Sequence, residues 1–333
     1  MPAASKSVKV PLKTRLKVWW EGYDPEEVEA RLRALEGRQK GDGPSGEPDE
    51  PVTREADPAP DTDLPITPWD SRRIEITQFI WGEGYCGPGG PEQIIAMSKL
   101  LAMSPQMSAL VIGAGLGGPS RVLAKEFGVW ITGVEASEQL AEAAMEISIK
   151  EGMAKKAPIR QYNPEEPGEF ERNFDRAFAK EALHTVANKK GLIDQISGNL
   201  KAEGLFLMTD FYLADSAQAG NENLLAWKSR QDPVPRLVTV DEKVDMLESA
   251  NLGIRVNEDI SDQYISLISK AWSSADKVVA GLMEQGGEGR QLIKVLMKEA
   301  EYWSDLSALL ENGTLVANRF LASKKKTKTL SDW

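Results

Sequence analysis

The chain has 333 residues, enough for one large domain or two with a sizeable core. Its 40 Lys and Arg against 51 Asp and Glu give a formal charge of -11, which argues against nucleic acid as a partner unless basic residues are segregated. One cysteine (Cys86) excludes an internal disulfide, one histidine (His184) excludes a His/Cys metal cluster, and no apolar run approaches the roughly 18 residues of a membrane span.

Met1 to Pro11 lacks the apolar block of a signal peptide, so a cytoplasmic protein is expected. Residues 12–36 read as a helix within an N-terminal extension, 1–36. Leu12, Leu16, Trp19 and Trp20 share a face flanked by Lys13, Arg15 and Lys17, so residues 12–20 suit an anionic membrane surface. Packing on the chain's own domain or on a partner subunit is the commoner use of such a stripe. Residues 37–67 are acidic and rich in Pro and Gly, with almost no large apolar groups, and read as a flexible linker.

From Pro68 the pattern becomes globular and continues to residue 323, leaving a basic tail at 324–333. Ile74, Ile76, Phe79 and Ile80 suggest a helix, which ends in a loop with five glycines in ten residues, Trp81-Gly82-Glu83-Gly84-Tyr85-Cys86-Gly87-Pro88-Gly89-Gly90. Such a loop is a poor core element and a good cover for a ligand. A helix over 92–103 follows, and strands and helices then alternate. Strands are expected at 109–113, 130–135, 158–162, 174–179 and 204–210, with helices near 119–127, 137–151 and 188–200. Alternation of this kind implies a mainly parallel sheet with right-handed crossovers. A capped helix at 241–251, a strand at 254–258, a helical insertion at 262–311 and a last strand at 313–322 complete the pattern.

The most informative stretch is Ala109-Leu110-Val111-Ile112-Gly113-Ala114-Gly115-Leu116-Gly117-Gly118, a strand running into a glycine turn and a helix. The next strand ends in Glu135. Glycines let backbone approach a ligand without Cβ interference, and an acid at that strand end can accept both hydroxyls of a ribose. A lone glycine turn is more often only a turn; the acid in place points to a nucleoside. A dehydrogenase would fit the G-x-G-x-x-G string too, but no Tyr and Lys stand at Y-x-x-x-K spacing for hydride chemistry.

In the order of its parts the chain resembles class I S-adenosylmethionine-dependent methyltransferases. Further segments carry the likeness: Asn173-Phe174-Asp175-Arg176-Ala177-Phe178 is similar to the family's fourth strand, and Leu200-Lys201-Ala202-Glu203-Gly204 leads into a fifth strand ending at Asp210. His184 falls on what reads as the next helix, after the fourth strand. Phe79 to Tyr85, with Pro88-Gly89-Gly90, resembles the cofactor cover of the phosphoethanolamine and sterol methyltransferase branch. The resemblance implies a Rossmann-like seven-stranded α/β sheet with helices on both faces, a helical insertion before the last strand and an N-terminal helical extension. It implies S-adenosylmethionine as cofactor, S-adenosylhomocysteine as product, and a small-molecule or lipid acceptor. Trp81, Gly89, Gly90, Gly113, Ala114, Gly115, Gly117, Gly118, Glu135, Ala136, Asn163 and Lys180 then fall on the cofactor. A homodimer is a further expectation, since in related enzymes the 262–311 region covers the substrate or forms a dimer contact.

An activated sulfonium asks mainly for alignment and exclusion of water. A base is needed only where the acceptor must lose a proton, and His184 is the candidate, with Tyr85 and Glu83 behind it. Each also has a plain structural reading, as does Trp81, which could stack on the acceptor or simply pack. Two positions depart from the family: Val111 stands where an acid usually helps hold the cofactor's amino group, and Tyr162-Asn163 stand where an acid often faces the adenine. The alternative is therefore a catalytically silent relative acting as a cofactor-binding, regulatory or partner subunit.

Overall fold

Apolar runs bounded by turn residues form the strands, and the computed structural model describes residues 69–166, 168, 170 and 172–326. The expected extension at 1–36, the linker at 37–67, the stripe at 12–20 and the tail beyond 326 lie outside the described residues. In chain order the elements are α1 (Ser71–Trp81), α2 (Gly90–Ser98), β1 (Ser108–Ile112), α3 (Gly118–Glu126), β2 (Trp130–Glu135), α4 (Glu138–Lys150), β3 (Ile159–Gln161), β4 (Phe174–Lys180), α5 (Lys189–Asn199) and β5 (Leu200–Leu213). There follow α6 (Glu222–Ser229), α7 (Val240–Ser249), β6 (Leu252–Asp259), α8 (Ser261–Trp272), α9 (Ala275–Met283), α10 (Gly287–Glu311) and β7 (Leu315–Lys324).

The seven strands form one sheet in the order β3-β2-β1-β4-β5-β7-β6. Strands β1 to β5 pair in parallel, and β7 runs antiparallel between β5 and β6. This is the mainly parallel sheet expected from the alternation, in the Rossmann-like seven-stranded form that the resemblance implied. Ala109, Leu110, Val111 and Ile112 are at most 1% exposed, as required of a central strand covered on both faces. Successive strands run outward from β1 to β3, then the chain returns and β4 pairs on the other side of β1. The crevice where that order reverses, at the carboxyl ends of β1 and β4, is where open α/β sheets bind ligands.

Three local details differ from the sequence reading. β5 extends to Leu213, because antiparallel pairing with β7 continues through Leu213 opposite Leu315. Helix α6 was not anticipated: it is short and buries only Leu224 and Trp227, but the Asn221 side chain caps it by accepting from the Leu224 N–H at 3.2 Å. His184 lies in the turn between β4 and α5 rather than on a helix. The sheet, its crossover helices and α8 belong to one compact unit, and residues 276–304 to a second. Among the described residues no helix is long and apolar enough to cross a membrane.

Candidate functional site

The glycine turn leaves β1 with Gly113, Gly115 and Gly117 at φ +65°, +54° and +81°, a region that costs any residue with a Cβ. Contacts add a second reason for these glycines. A Cβ at Gly113 would sit 2.4 Å from the Ala182 Cβ, and one at Gly118 would sit 2.5 Å from the Gly84 carbonyl oxygen. The loop after α1 is docked on the turn itself, with the Gly118 N–H donating to the Gly84 carbonyl at 2.8 Å. Cys86 Sγ lies 3.3 Å from where a Gly115 Cβ would stand. The Gln78 side chain anchors the other end of this cover by accepting from the Gly84 N–H at 2.9 Å.

Glu135 ends β2 at 8% exposure with its carboxylate turned into the glycine turn. Oε2 accepts from the Gly115 N–H at 2.8 Å and Oε1 from the Ser137 N–H at 3.0 Å. Burial raises its pKa above the usual carboxylate value, and these backbone donors oppose that shift. A carboxylate offers about four acceptor positions. The Gly115 and Ser137 N–H groups take two and the Ala136 N–H also acts on the carboxylate; the capacity that remains suits a ribose hydroxyl, and the donor set fits a nucleoside. Ala136 lies exposed at the lip, where its carbonyl accepts from Gln161 Nε2 at 3.4 Å. Asn163 uses its side-chain oxygen, the atom that would accept from an adenine amino group, locally, accepting from the Glu165 N–H at 3.0 Å. Val111 is 1% exposed and offers no polar group.

Arg121 holds this half together. It is buried, and its guanidinium donates to the Leu116 carbonyl at 2.9 Å, the Ala144 carbonyl at 3.3 Å and the Ser148 hydroxyl at 3.4 Å, while Nε faces Glu151 at 3.1 Å. Tyr85 packs its ring on Gly118, and burial pushes its hydroxyl up to about 12. Arginine one turn into α3, on its buried side, was the sequence signal that this residue supports the turn.

A second set of side chains gathers at the carboxyl ends of β4 and β5. His184 Nδ1 lies 2.9 Å from Asp210 Oδ1. Asp210 is 2% exposed and also accepts from the Leu183 and Phe211 N–H groups, each at 3.1 Å. A neutral His184 ring that donates from Nδ1 to Asp210 has Nε2 as its acceptor. Phe211 stands edge-on to His184 at 5.4 Å and to Tyr264 of α8 at 5.2 Å. Lys180 pairs with Glu181 at 2.6 Å, and its ammonium lies 5.7 Å from the Tyr264 ring. Glu181 holds a left-handed backbone (φ +49°), a local strain of the kind that gathers at binding sites. Gly89 stands 3.9 Å from the Lys180 side chain, measured from an added Cβ, and Gly90 follows at φ +53°. Trp81 packs edge-on against Trp272 at 6.3 Å.

Beneath this set lie two buried lysines. Lys189 donates to the His184 carbonyl at 3.4 Å and to the Val186 carbonyl. Lys243 is 0% exposed, its ammonium is 5.8 Å from the Tyr212 ring, and Nζ has no hydrogen-bond partner among the described residues. Burial lowers both lysines to about 8.

The structure therefore places His184 and Lys180 at the carboxyl ends of β4 and β5 with Gly89 near Lys180, and Gly113 to Gly118 with Glu135 at the carboxyl ends of β1 and β2, while Trp81 packs on Trp272 of α8. Glu83 is not among them: its side chain is 70% exposed and faces Lys150 at 3.6 Å. Asp210, Glu181, Phe211 and Tyr264 were not assigned a role in the sequence, although Asp210 closed a quoted segment.

Residues 103–254 match the family model described as a methyltransferase domain. The phosphoethanolamine N-methyltransferase of Plasmodium falciparum is 27% identical over 198 residues, covering 59% of this chain and 72% of that protein. A sterol 24-C-methyltransferase of Gibberella zeae is 25% identical over 204 residues, covering 57% of this chain and 53% of its own. Among solved structures, Haemonchus contortus phosphoethanolamine N-methyltransferase 2 in complex with S-adenosyl-L-methionine superposes with a TM-score of 0.67 at 20% identity, covering 76% of this chain and 57% of that one. The chain thus spans about half the length of the sterol relative and of the nematode structure. Residues 103–254 are thus similar to a methyltransferase domain, and the chain has the fold of the methyltransferase structures it superposes on.

Proposed function

From a methyltransferase domain as premise, we propose that this protein transfers a methyl group from S-adenosylmethionine to a small-molecule or lipid acceptor. The observation that carries the reading is Glu135, fixed by the Gly115 and Ser137 N–H groups at the switch point with acceptor capacity to spare. When bound, the cofactor supplies a methyl group on a sulfonium, whose sulfur keeps the electron pair as the methyl leaves. Gly113, Gly115 and Gly117 admit its methionine end to the backbone, Glu135 takes the ribose, and residues 81–90 exclude water. His184 Nε2 receives the proton that the acceptor heteroatom gives up as it gains the methyl. Asp210 fixes the ring and faces the resulting imidazolium. The expected homodimer, the membrane contact through residues 12–20 and a cytoplasmic location belong to the same proposal.

A second reading, a subunit that binds without turnover, is favoured by Val111, apolar and buried where an acid would hold the amino group. Titration calorimetry with S-adenosylmethionine and S-adenosylhomocysteine tests the binding step, and binding of neither ligand overturns the proposal. Given binding and an acceptor, Asp210→Asn should lower kcat about 10²-fold with cofactor affinity unchanged. Equal turnover would remove the dyad from the mechanism.

A further inference from the structure

The opposite end of the sheet holds a second cleft. Helices α3, α4 and α5 cross between β1 and β2, β2 and β3, and β4 and β5. The connection from β3 to β4 contains no helix among the described residues. Right-handed crossovers put α5 and the β3-to-β4 connection on the same face, so among the described residues no crossover helix covers that face near β2 and β3. A cavity of about 390 Å³ opens there, lined by Trp130, Ile131, Thr132, Pro158 and Phe174, together with Phe170 and the cations Lys155, Arg160 and Arg172. This volume falls in the range of small-molecule sites. It lies by the amino-terminal ends of β2 and β4, away from the edge that carries Glu135 and His184.

Its chemistry is unlike that of the rest of the surface. The chain carries a net charge of -11, yet among the described residues no carboxylate lines this cavity. Some exposed cations elsewhere pair with acids, as Lys201 does with Asp175 and Lys190 with Asp194. Lys155, Lys156, Arg160 and Arg172 form no ion pair among the described residues, though Lys156 lies 4.0 Å from the Trp130 ring centroid. Arg172 is held in place over the Phe174 ring at 5.3 Å and donates to the Thr132 hydroxyl at 3.0 Å. The floor is apolar: Phe170 and Phe174 are buried and stand edge-on at 6.4 Å. Trp130 remains 48% exposed at the rim. Guanidinium forks suit phosphate oxygens in pairs, and an aromatic floor suits a ring or chain attached to them.

We propose that this cleft is a binding site for a phosphate-bearing small ligand with an apolar body, separate from the methyl-donor site. Arg160, Arg172 and Lys155 take the phosphate, and Phe170, Phe174 and Trp130 take the body. The inference is independent of the methyl-donor assignment.

The test is calorimetry on the full chain with pyrophosphate and, at saturating S-adenosylhomocysteine to occupy any adenosine site, with ADP. Flotation with phosphatidylcholine vesicles, with and without phosphatidic acid, distinguishes a lipid headgroup from a free phosphate. Binding in any arm should weaken about tenfold or more in Arg160→Glu and in Lys155→Glu, and less in Arg160→Lys. Both positions are exposed, so an unchanged melting midpoint checks that the variants fold. Absence of binding in all arms at millimolar ligand overturns the proposal, and so does binding that ignores both charge reversals.

Discussion

The two halves of the site are held by different forces. Around the glycine turn, backbone groups make the decisive contacts: the Gly115 N–H on Glu135, the Gly118 N–H on the Gly84 carbonyl, and Arg121 on the Leu116 carbonyl. Around His184, ionisable side chains do, with Asp210 beside it and Lys189 and Lys243 buried below. A backbone cradle is fixed by sterics and tolerates no added atoms. A buried charge cluster is instead an electrostatic compromise, and it answers to pH.

The largest effect is expected in the cradle. Gly113→Val forces a β-branched residue into φ +65° and drives its Cβ to 2.4 Å from the Ala182 Cβ. Left-handed strain and overpacking together should cost about 3–5 kcal/mol. A urea titration reads this directly, and a loss below about 1 kcal/mol would show that the turn yields rather than resists.

The charge cluster should respond in the opposite direction. Lys243 has a folded pKa lowered from 10.5 to about 8 by burial, so between these values the unfolded chain holds a proton that the fold does not. Stability therefore rises as pH goes from about 8 to 10.5, and below about 8 the penalty is fully present. A shift of this size corresponds to about 3 kcal/mol. Lys243→Met, of similar length and without the charge, should stabilise the fold at pH 7 by about 2 kcal/mol and flatten that rise. Denaturant midpoints across this pH range test both parts. Destabilisation at pH 7 would mean that the ammonium does useful work where it lies.

The same contrast explains what could be read from the sequence. The cradle is local: Gly113 to Gly118 and Glu135 lie within one βαβ unit, so spacing alone announced them. The cluster gathers residues from β5, α5, α7 and the turn after β4, and no spacing links Asp210 to His184 or to Lys243. His184 was singled out by its imidazole chemistry and its place after β4, while its partner, at the end of the expected fifth strand, was visible only as a motif residue. Helix α6 was missed for a related reason, since two buried side chains give too little periodicity to detect. The cleft at the far edge depended on a crossover without a helix among the described residues, which leaves no pattern in sequence.

The smallest effect expected is at Glu83, which the sequence placed among the acid–base candidates because it lies in the cover loop between Trp81 and Tyr85. Its neighbours explain why the loop position misleads. Gly84 is tied down by the Gln78 side chain and by the Gly118 N–H, and Tyr85 is turned inward onto Gly118. With the residue after it fixed inward, Glu83 projects outward to Lys150, and both side chains are mostly in water. Solvent screens such a pair almost completely. Glu83→Ala should leave the melting midpoint and any methyl transfer within error of the parent. A loss of turnover comparable with that of Asp210→Asn would mean that the loop swings Glu83 inward when the site is filled, making the cover part of the acceptor half.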